Sequence, residues 1–351
     1  MHRNTYVEIN LSNITNNVKK IINKLSGFKY YFGVVKADCY GHNNIETVNA
    51  IINGGCNYLT VATLDEALEI RKFNTSIPIL CLGIIKVNDL DIAQQNNITI
   101  TINRLDYLIE VLNNYHKELK CHIKINTGMN RLGVKDKREF NEMYKLISNS
   151  NLYLEGLYTH IYCPDNKELT YNQYDLFKNI TNDINLNEID IVHVSASEAT
   201  INYRADFANG CRLGIIMYGL LDTNIDLEST FSLYSEVIQI NELEPGETLG
   251  YNANYKANKK TRIAVIPIGY ADGIIRKNTG RYIYINDKKY NIVGNICMDM
   301  LYIEIDETIK VGDKVTIIKD IDHINYIADY LDTINYEIIC SISKRVPRIY
   351  K

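Results

Sequence analysis

The sequence predicts a (β/α)8 barrel followed by a C-terminal β-rich domain, on three observations. Between residues 28 and 220, eight short runs rich in β-branched and aromatic residues alternate with longer amphipathic stretches, the rhythm of parallel strands separated by helices. After about residue 230 the pattern turns to period-two runs broken by turn residues. The length of 351 residues suits two domains, and 46% hydrophobic with 23% charged residues is the make-up of a globular chain. A doubly wound open sheet is the alternative for the first part, and the count of eight units favours the closed barrel.

In chain order, the strand candidates are Tyr30–Val35, Tyr58–Val61, Ile77–Leu82, Ile98–Ile102, His122–Ile125, Leu154–Thr159, Ile191–Ser195 and the region Gly214–Leu220. A helix over Leu11–Lys24 opens with Ser12 as its expected N-cap, and Thr63–Lys72 carries Glu66, Leu68 and Ile70 in helical spacing. The tail offers strands at Phe231–Ile240, Thr261–Pro267, Tyr282–Asn286, Tyr290–Val293, Leu301–Ile305 and Lys314–Ile318. The expected division is a barrel over 11–230 and a β-rich domain over 231–351 that also takes in an N-terminal strand at 1–10. No linker-like stretch separates the two, so direct packing is expected.

Composition narrows the function. A formal charge of −4, from 38 basic against 42 acidic residues with no single-sign block, argues against a nucleic-acid partner. The longest apolar runs, such as 77–85, fall far short of the ~20 residues that span a bilayer, and no apolar core follows the basic residues near Met1. The expectation is therefore no membrane partner, no export and a cytoplasmic location. The eight cysteines are scattered, without a C-x-x-C pair or clustered histidines, so reduced thiols and no metal are expected.

Several motifs can carry chemistry. Val34-Val35-Lys36-Ala37-Asp38-Cys39-Tyr40-Gly41-His42 sets Lys36 at the C-terminal mouth of the first barrel strand, where barrel active sites lie. A lysine losing its hydration there has a lowered proton affinity and can form a Schiff base with an aldehyde, although position alone favours a solvated strand-end lysine. After the fifth strand, Lys124-Ile-Asn-Thr-Gly-Met-Asn-Arg131-Leu-Gly carries an arginine suited to bidentate contact with a carboxylate. Tyr158-Thr159-His160, His193-Val-Ser195-Ala-Ser197 and Arg212-Leu-Gly214-Ile215 place further polar groups at strand ends. Ser197 with the amides of Gly214 and Ile215 would suit a phosphate, and ordinary turn chemistry explains each residue separately. In the tail, Gly250-Tyr251, Ile268-Gly-Tyr270-Ala-Asp272-Gly and Cys297-Met298-Asp299 are Gly-flanked tyrosines and acids.

Taken together, the Lys36-to-His42 motif, Lys124-x-x-Thr-Gly-Met-x-Arg131-Leu-Gly, Thr159-His160, Arg212-x-Gly-Ile-x-x-Tyr218-Gly, Gly250-Tyr251, Ile-Gly-Tyr270-Ala-Asp-Gly, Cys-Met298-Asp299 and Arg345-Val-Pro-Arg348 resemble the alanine racemase family. These matches keep the family's order across nearly the whole chain. The resemblance implies pyridoxal 5'-phosphate as cofactor, a barrel plus a β-domain, and a homodimer with shared active sites. It implies that Lys36 holds the cofactor aldehyde, that Tyr40, Ser197, Gly214 and Ile215 contact the phosphate, and that Arg212 faces the pyridine nitrogen with His160 holding it. A guanidinium donates to that nitrogen without surrendering its proton, which tempers the electron sink and favours return of a proton to the α-carbon. Racemisation needs one acid–base group on each face of the α-carbon; the resemblance assigns these to Lys36 and to Tyr251 of the other subunit. It further implies that Arg131 contacts the cofactor phenolate oxygen and, with the backbone at Met298, holds the substrate carboxylate, that Tyr270 and Asp299 narrow the entrance, and that Lys124 is carbamylated and orients Arg131.

The sequence departs from the family pattern twice. Ala196-Ser197 stands where Asn-Ser is usual, and Lys344 stands where a tyrosine precedes Arg345-Val-Pro-Arg348. The second change is expected to put a cation near Tyr40 and the substrate and to admit serine beside alanine. The expected activity is interconversion of L- and D-alanine, feeding D-alanine to peptidoglycan, with a small amino acid as substrate. A serine or broader-specificity racemase is the nearest alternative. A barrel-type decarboxylase is disfavoured by Arg212, and a non-catalytic pyridoxal-phosphate-binding protein by the extra domain and Tyr251.

Overall fold

The computed structural model describes residues 3–43 and 45–351. Positions 1 and 2, where the expected N-terminal strand begins, lie outside the described residues. Strand β1 (Tyr6–Ile9) comes first, then the helix Leu11–Lys24, and then eight parallel strands: β2 (Tyr30–Val34), β3 (Tyr58–Val61), β4 (Ile79–Cys81), β5 (Ile98–Ile102), β6 (Leu119–Lys124), β7 (Leu152–Tyr158), β8 (Ile191–Ala196) and β9 (Gly210–Leu213). They close into a barrel in sequence order, with β2 pairing β9 from Tyr30 opposite Gly210 to Gly33 opposite Leu213. This bears out the predicted barrel and excludes the open sheet.

Local chemistry explains the helices around it. Leu11–Lys24 buries Ile14, Val18 and Ile21 at helical spacing. Its cap is Asn10, whose side chain accepts from the Asn13 amide at 2.9 Å; the expected cap, Ser12, is the second residue of the helix. The helix Leu64–Arg71 starts in a capping box, Thr63 with Glu66. Strands β3 and β5 are buried at every position, as strands covered on both faces must be.

The eighth barrel strand differs from the expected Gly214–Leu220. It lies earlier, and Ile215–Tyr218 forms a 3-10 turn closed by Gly219 at φ 73°. Ile215, Ile216 and Met217 are all buried, and an apolar run of that length does not distinguish a strand from a turn packed inside.

The second part contains β10 (Phe231–Glu236), β11 (Gln239–Leu243), β12 (Thr248–Leu249), β13 (Tyr255–Lys256), β14 (Thr261–Ile266), β15 (Tyr282–Ile285), β16 (Lys288–Val293), β17 (Leu301–Ile305), β18 (Lys314–Ile318) and β19 (Arg348–Tyr350). Nine strands form one sheet in the order β11-β14-β17-β16-β15-β18-β10-β1-β19, so β1 lies between β10 and β19. Two helices, Ile321–Leu331 and Asn335–Cys340, interrupt the β-rich tail and were not expected. Asp320 caps the first by accepting from the His323 amide at 3.0 Å, and Ile324, Ile327 and Leu331 face inward. No described helix is long and apolar enough to cross a membrane. Buried side chains of the barrel and of the sheet, among them Val18, Ile216, Phe231 and Ile339, belong to one contiguous apolar core.

Candidate active site

The chain leaves β2 in an unusual way. Ala37, Asp38, Cys39 and Tyr40 take φ of 52°, 56°, 53° and 54°, a left-handed turn between Lys36 and Gly41. Each such non-glycine residue costs roughly 1–2 kcal/mol, so the turn persists only because its surroundings over-determine it. Glu66 supplies one tie: its Oε1 accepts from the Ala37 amide at 2.7 Å, and its Oε2 accepts from the Ala62 amide at 2.7 Å. Arg348 supplies another, donating from Nε to the Gly41 carbonyl at 3.0 Å. A side chain at Gly41 would meet the Ile339 carbonyl oxygen at 2.5 Å. Such a turn at the C-terminal end of a barrel strand fixes where Lys36 points.

Lys36 lines a cavity of about 330 Å3 at the barrel mouth, with Tyr40, Lys124, Arg131, His160, Ser197, Arg212, Gly214 and Ile215 on its other walls. Lys36, Lys124, Arg131 and Arg212 are its cations, and Glu198 is the one carboxylate in the lining. Burial, and then Arg131, holds the Lys36 amine below the ordinary lysine value, against an opposing pull from Glu66. Lys124 is 7% exposed and is driven well below the ordinary value by burial, then by Arg212 and Arg131. Its Nζ sits 4.7 Å from the centre of the Tyr158 ring. A buried, cation-rich cavity of this kind suits an anionic ligand and leaves two amines ready to act as nucleophile or base.

Arg212, on β9, is 3% exposed and makes no ion pair among the described residues. Its Nη1 donates to His193 Nδ1 at 2.8 Å and to the His193 carbonyl at 3.0 Å. Its Nη2 donates to the Thr159 carbonyl at 2.8 Å and to His160 Nδ1 at 3.3 Å. Burial, then Arg212, Lys124, Arg131 and Lys36, pushes His160 down to about 2, so it accepts as a neutral ring. The fifth donor of Arg212, Nε, is left for a ligand.

At the opposite wall the Gly214 amide donates to Ser197 Oγ at 3.1 Å. A Cβ at Gly214 would lie 3.2 Å from Ser197 Oγ and 3.3 Å from Tyr40 Oη, so the absent side chain leaves a small polar cradle between two hydroxyls. Donor hydroxyls around a glycine beside four cations fit a phosphate monoester, and an amine of lowered basicity within the same cavity fits an aldehyde.

Five of the residues singled out in the sequence lie elsewhere. Tyr251, Tyr270 and Met298 are 71%, 42% and 53% exposed, and none lines the barrel cavity of its own chain. Asp299 accepts from Arg345 Nη2 at 2.7 Å. The segments carrying these residues are tied together: Asn295 Nδ2 donates to the Tyr251 carbonyl at 2.7 Å, and the Tyr270 amide to the Cys297 carbonyl at 3.0 Å. Lys344 is corrected: its side chain is 87% exposed, with Nζ 3.9 Å from Asp38 Oδ2, and it does not reach the cavity. Solvent and Asp38 draw the ammonium outward, and Tyr40 packs instead on Tyr218 and Tyr336 at 5.1 and 6.0 Å between ring centres. Tyr336 and Glu66 escaped the sequence reading as site residues, while Tyr158 was singled out only as a polar group at a strand end. The capping-box spacing of Thr63 and Glu66 is the signal that could have pointed to Glu66.

Comparison with known proteins decides the family. The family model of the alanine racemase N-terminal domain matches residues 9–222, and that of its C-terminal domain matches residues 230–350. The chain belongs to the alanine racemase family. Alanine racemase 1 of Bacillus subtilis is 37% identical over 99% of this chain and 93% of its own length. The alanine racemase of Geobacillus stearothermophilus is 36% identical over 99% of this chain and 94% of its own. The solved alanine racemase from Bacillus anthracis with bound L-Ala-P superimposes with a TM-score of 0.94, at 32% identity, covering all of this chain and 96% of that one. The alanine racemase family thus accounts for both the barrel and the sheet.

Proposed function

We propose that this protein interconverts L- and D-alanine with pyridoxal 5'-phosphate held in the barrel-mouth cavity, and that two chains build each active site. The family match supports the reaction. The observation that carries the mechanism is the pairing, in the lining of one cavity, of a Lys36 held below the ordinary lysine value with a buried Arg212 whose Nε donates to none of the described residues. When bound, the cofactor supplies an electron sink that acidifies the substrate's α-C–H.

The chain's own residues do the rest. Lys36 would hold the cofactor aldehyde, and its amine would take or return the substrate's α-proton on one face. Tyr40, Ser197, Gly214 and Ile215 would hold the phosphate, and Arg212 would donate to the ring nitrogen without giving up its proton. Arg131 neutralises the substrate carboxylate, with the backbone at Met298 beside it. Lys124, whose amine burial drives well below the ordinary lysine value, is set up to take carbon dioxide as a carbamate, whose negative charge then orients Arg131.

The second base comes from another copy. Tyr251, Tyr270 and Met298, exposed on one hydrogen-bonded group of loops, form a face suited to covering a second chain's barrel mouth. Tyr251 then meets the opposite face of the α-carbon, while Tyr270 and Asp299 narrow the entrance. The enzyme acts as a homodimer in the cytoplasm, and its D-alanine serves peptidoglycan assembly.

The test is α-proton exchange followed by NMR in deuterated water with added pyridoxal phosphate, with chiral analysis of the products, across L-alanine, L-serine and L-lysine. Exchange with growing D-alanine is the expected result. Faster inversion of serine would move the assignment to a serine racemase, and a cofactor-loaded protein that exchanges none of the three would overturn it.

A further inference from the structure

Arg212 is buried without a carboxylate in contact, yet a continuous line of hydrogen bonds leads from it through the barrel interior to one. His193 accepts from Arg212 Nη1 at Nδ1, at 2.8 Å. His193 Nε2 lies 3.0 Å from His122 Nδ1, and His122 Nε2 lies 3.2 Å from Glu155 Oε2. Glu155 Oε1 accepts from Lys120 Nζ at 2.8 Å, and Lys120 is 46% exposed where the line leaves the barrel. The four linked side chains sit on the consecutive strands β9, β8, β6 and β7, all facing inward.

The two ends dictate the protons between them. A guanidinium can only donate, so His193 Nδ1 is bare and its proton is on Nε2. That proton is donated to His122 Nδ1, which leaves the proton of His122 on its own Nε2. A carboxylate can only accept, and Glu155 receives that second proton's hydrogen bond. Every bond in the line therefore runs in one direction, from the cation to the anion. The His193 ring is held flat, stacked between Phe32 and Tyr158 at 4.5 and 4.8 Å with interplanar angles of 17° and 9°. The carboxylate is equally fixed, accepting from Tyr58 Oη at 2.6 Å and Thr99 Oγ1 at 3.1 Å. Both imidazoles are completely buried in the fold, and burial, before any other cause, disfavours their charged forms. Two neutral rings thus join one cation to one anion across the barrel.

We propose that Glu155 is a positioning residue for the racemase site: through His122 and His193, both held as Nε2–H tautomers, it fixes the orientation and charge of Arg212 from the far end of the barrel. The inference rests on the reading of Arg212 as the partner of the cofactor ring. A carboxylate at the end of the line polarises each ring toward Arg212, so that Nδ1 of His193 becomes a stronger acceptor and the guanidinium keeps its proton. A chain of hydrogen bonds with a unique direction also restrains the guanidinium of Arg212 where it lines the cavity.

The test has two readouts. Nitrogen-15 NMR of histidine-labelled holoenzyme reports ring tautomers independently of turnover, with His122 and His193 assigned by substitution. The expected result is a bare Nδ1 and a protonated Nε2 in both rings; a protonated Nδ1 in either overturns the proposal whether or not the protein racemises alanine. The second readout is kinetic. Glu155→Gln keeps the shape and removes the charge, and is expected to lower kcat roughly 2- to 30-fold with KM for alanine held within about twofold. Glu155→Asp, which restores the charge, is expected to recover part of that loss. Wild-type kcat in Glu155→Gln, or equal losses in both variants that track a fall in Tm, would show a purely structural carboxylate and overturn the proposal.

Discussion

The barrel mouth and the loop face of the β-domain are built on opposite principles. At the mouth, Lys124 and Arg212 are buried and Lys36 is half-buried, and the left-handed turn and the arginine's hydrogen bonds to His193, Thr159, His160 and Val194 fix Lys36 and Arg212 in place before any ligand arrives. On the loop face Tyr251, Tyr270, Met298 and Met300 stand in solvent, each at least 42% exposed. Cation chemistry needs the low dielectric and fixed geometry that one folded chain can supply alone. A second base on the opposite face of the same carbon cannot come from the same wall, and here the group proposed for it waits on a surface. On the proposed reading, one chain thus supplies the cofactor half of one site and the second base of another.

The sharpest way to separate the two regions is to remove one base from each. Lys36→Ala is expected to abolish racemisation, a loss on the order of 10^3-fold or more, with the visible absorbance of pyridoxal phosphate bound to a lysine lost as well. Tyr251→Phe is expected to lose about 10^2-fold or more in racemisation while keeping the cofactor, because Tyr251 lies outside the cavity of its own chain. It should also still exchange the α-proton of one enantiomer in deuterated water faster than it forms the other. Retained racemisation in Tyr251→Phe would dissolve the comparison.

Mixing the two variants sharpens it further. If each site takes Lys36 from one chain and Tyr251 from its partner, a mixed dimer has one site with both bases and one with neither. Unfolding-free exchange of subunits should then return about a quarter of the wild-type activity. No recovery, with mixed dimers shown to form, would place both bases of a site in one chain.

The sequence made the two regions legible to different degrees. Strands β3 and β5 appear where the β-branched runs put them, and Lys36 and Ser197 follow because polar residues directly after such runs end at the mouth, whereas Arg212, which precedes the expected eighth strand and lies inside the observed one, was marked by the family resemblance. The left-handed turn from Ala37 to Tyr40 was invisible, since no propensity scale places four consecutive non-glycine residues at positive φ; only the Gly41 that closes it is a readable sign. The eighth strand was misplaced because Ile215–Met217 is apolar for reasons of burial rather than pleat. The helices after Asp320 were missed because a β-rich tail was read through to the end, although Asp320 and the spacing of Ile324, Ile327 and Leu331 mark a capped helix. Lys344 was misjudged from its neighbours in sequence, which fix position along the chain and not the direction of a flexible side chain. Glu155 and His122 gave no motif at all: their relation exists only once β6, β7 and β8 are side by side.

A smaller effect probes the strain behind the barrel mouth. Gly41→Ala puts a Cβ at φ 78° and 2.5 Å from the Ile339 carbonyl oxygen, in the contact that joins the turn to the helix Asn335–Cys340. The expected cost is about 2–3 kcal/mol of stability, read as a lowered Tm, with Tyr40 displaced and cofactor affinity reduced. The same substitution at Gly246, also at positive φ but with open space around it, should cost about 1 kcal/mol and leave cofactor binding unchanged. Equal effects at the two positions would mean that packing against the second region does not hold the turn.

The smallest effect is a pH dependence seated in the barrel and absent from the loop face. Burial alone would raise the Glu155 carboxyl, but donation from His122, Lys120 and Tyr58 outweighs it and holds the group at about 2, below its ordinary 4.5. A carboxyl depressed in the folded state binds protons more readily when unfolded, so its contribution is fully present above about pH 4.5 and fades as the pH falls toward 2. Wild-type protein should therefore lose about 1–2 kcal/mol more than Glu155→Gln over that interval, measured by denaturant unfolding at fixed ionic strength. Asp299 on the loop face, half-exposed and paired with Arg345 in solvent, offers the contrast: Asp299→Asn should leave the acid limb within about 0.5 kcal/mol of wild type. If the two variants shift the acid limb equally, the buried line through the barrel stores no more electrostatic stability than an ion pair in water.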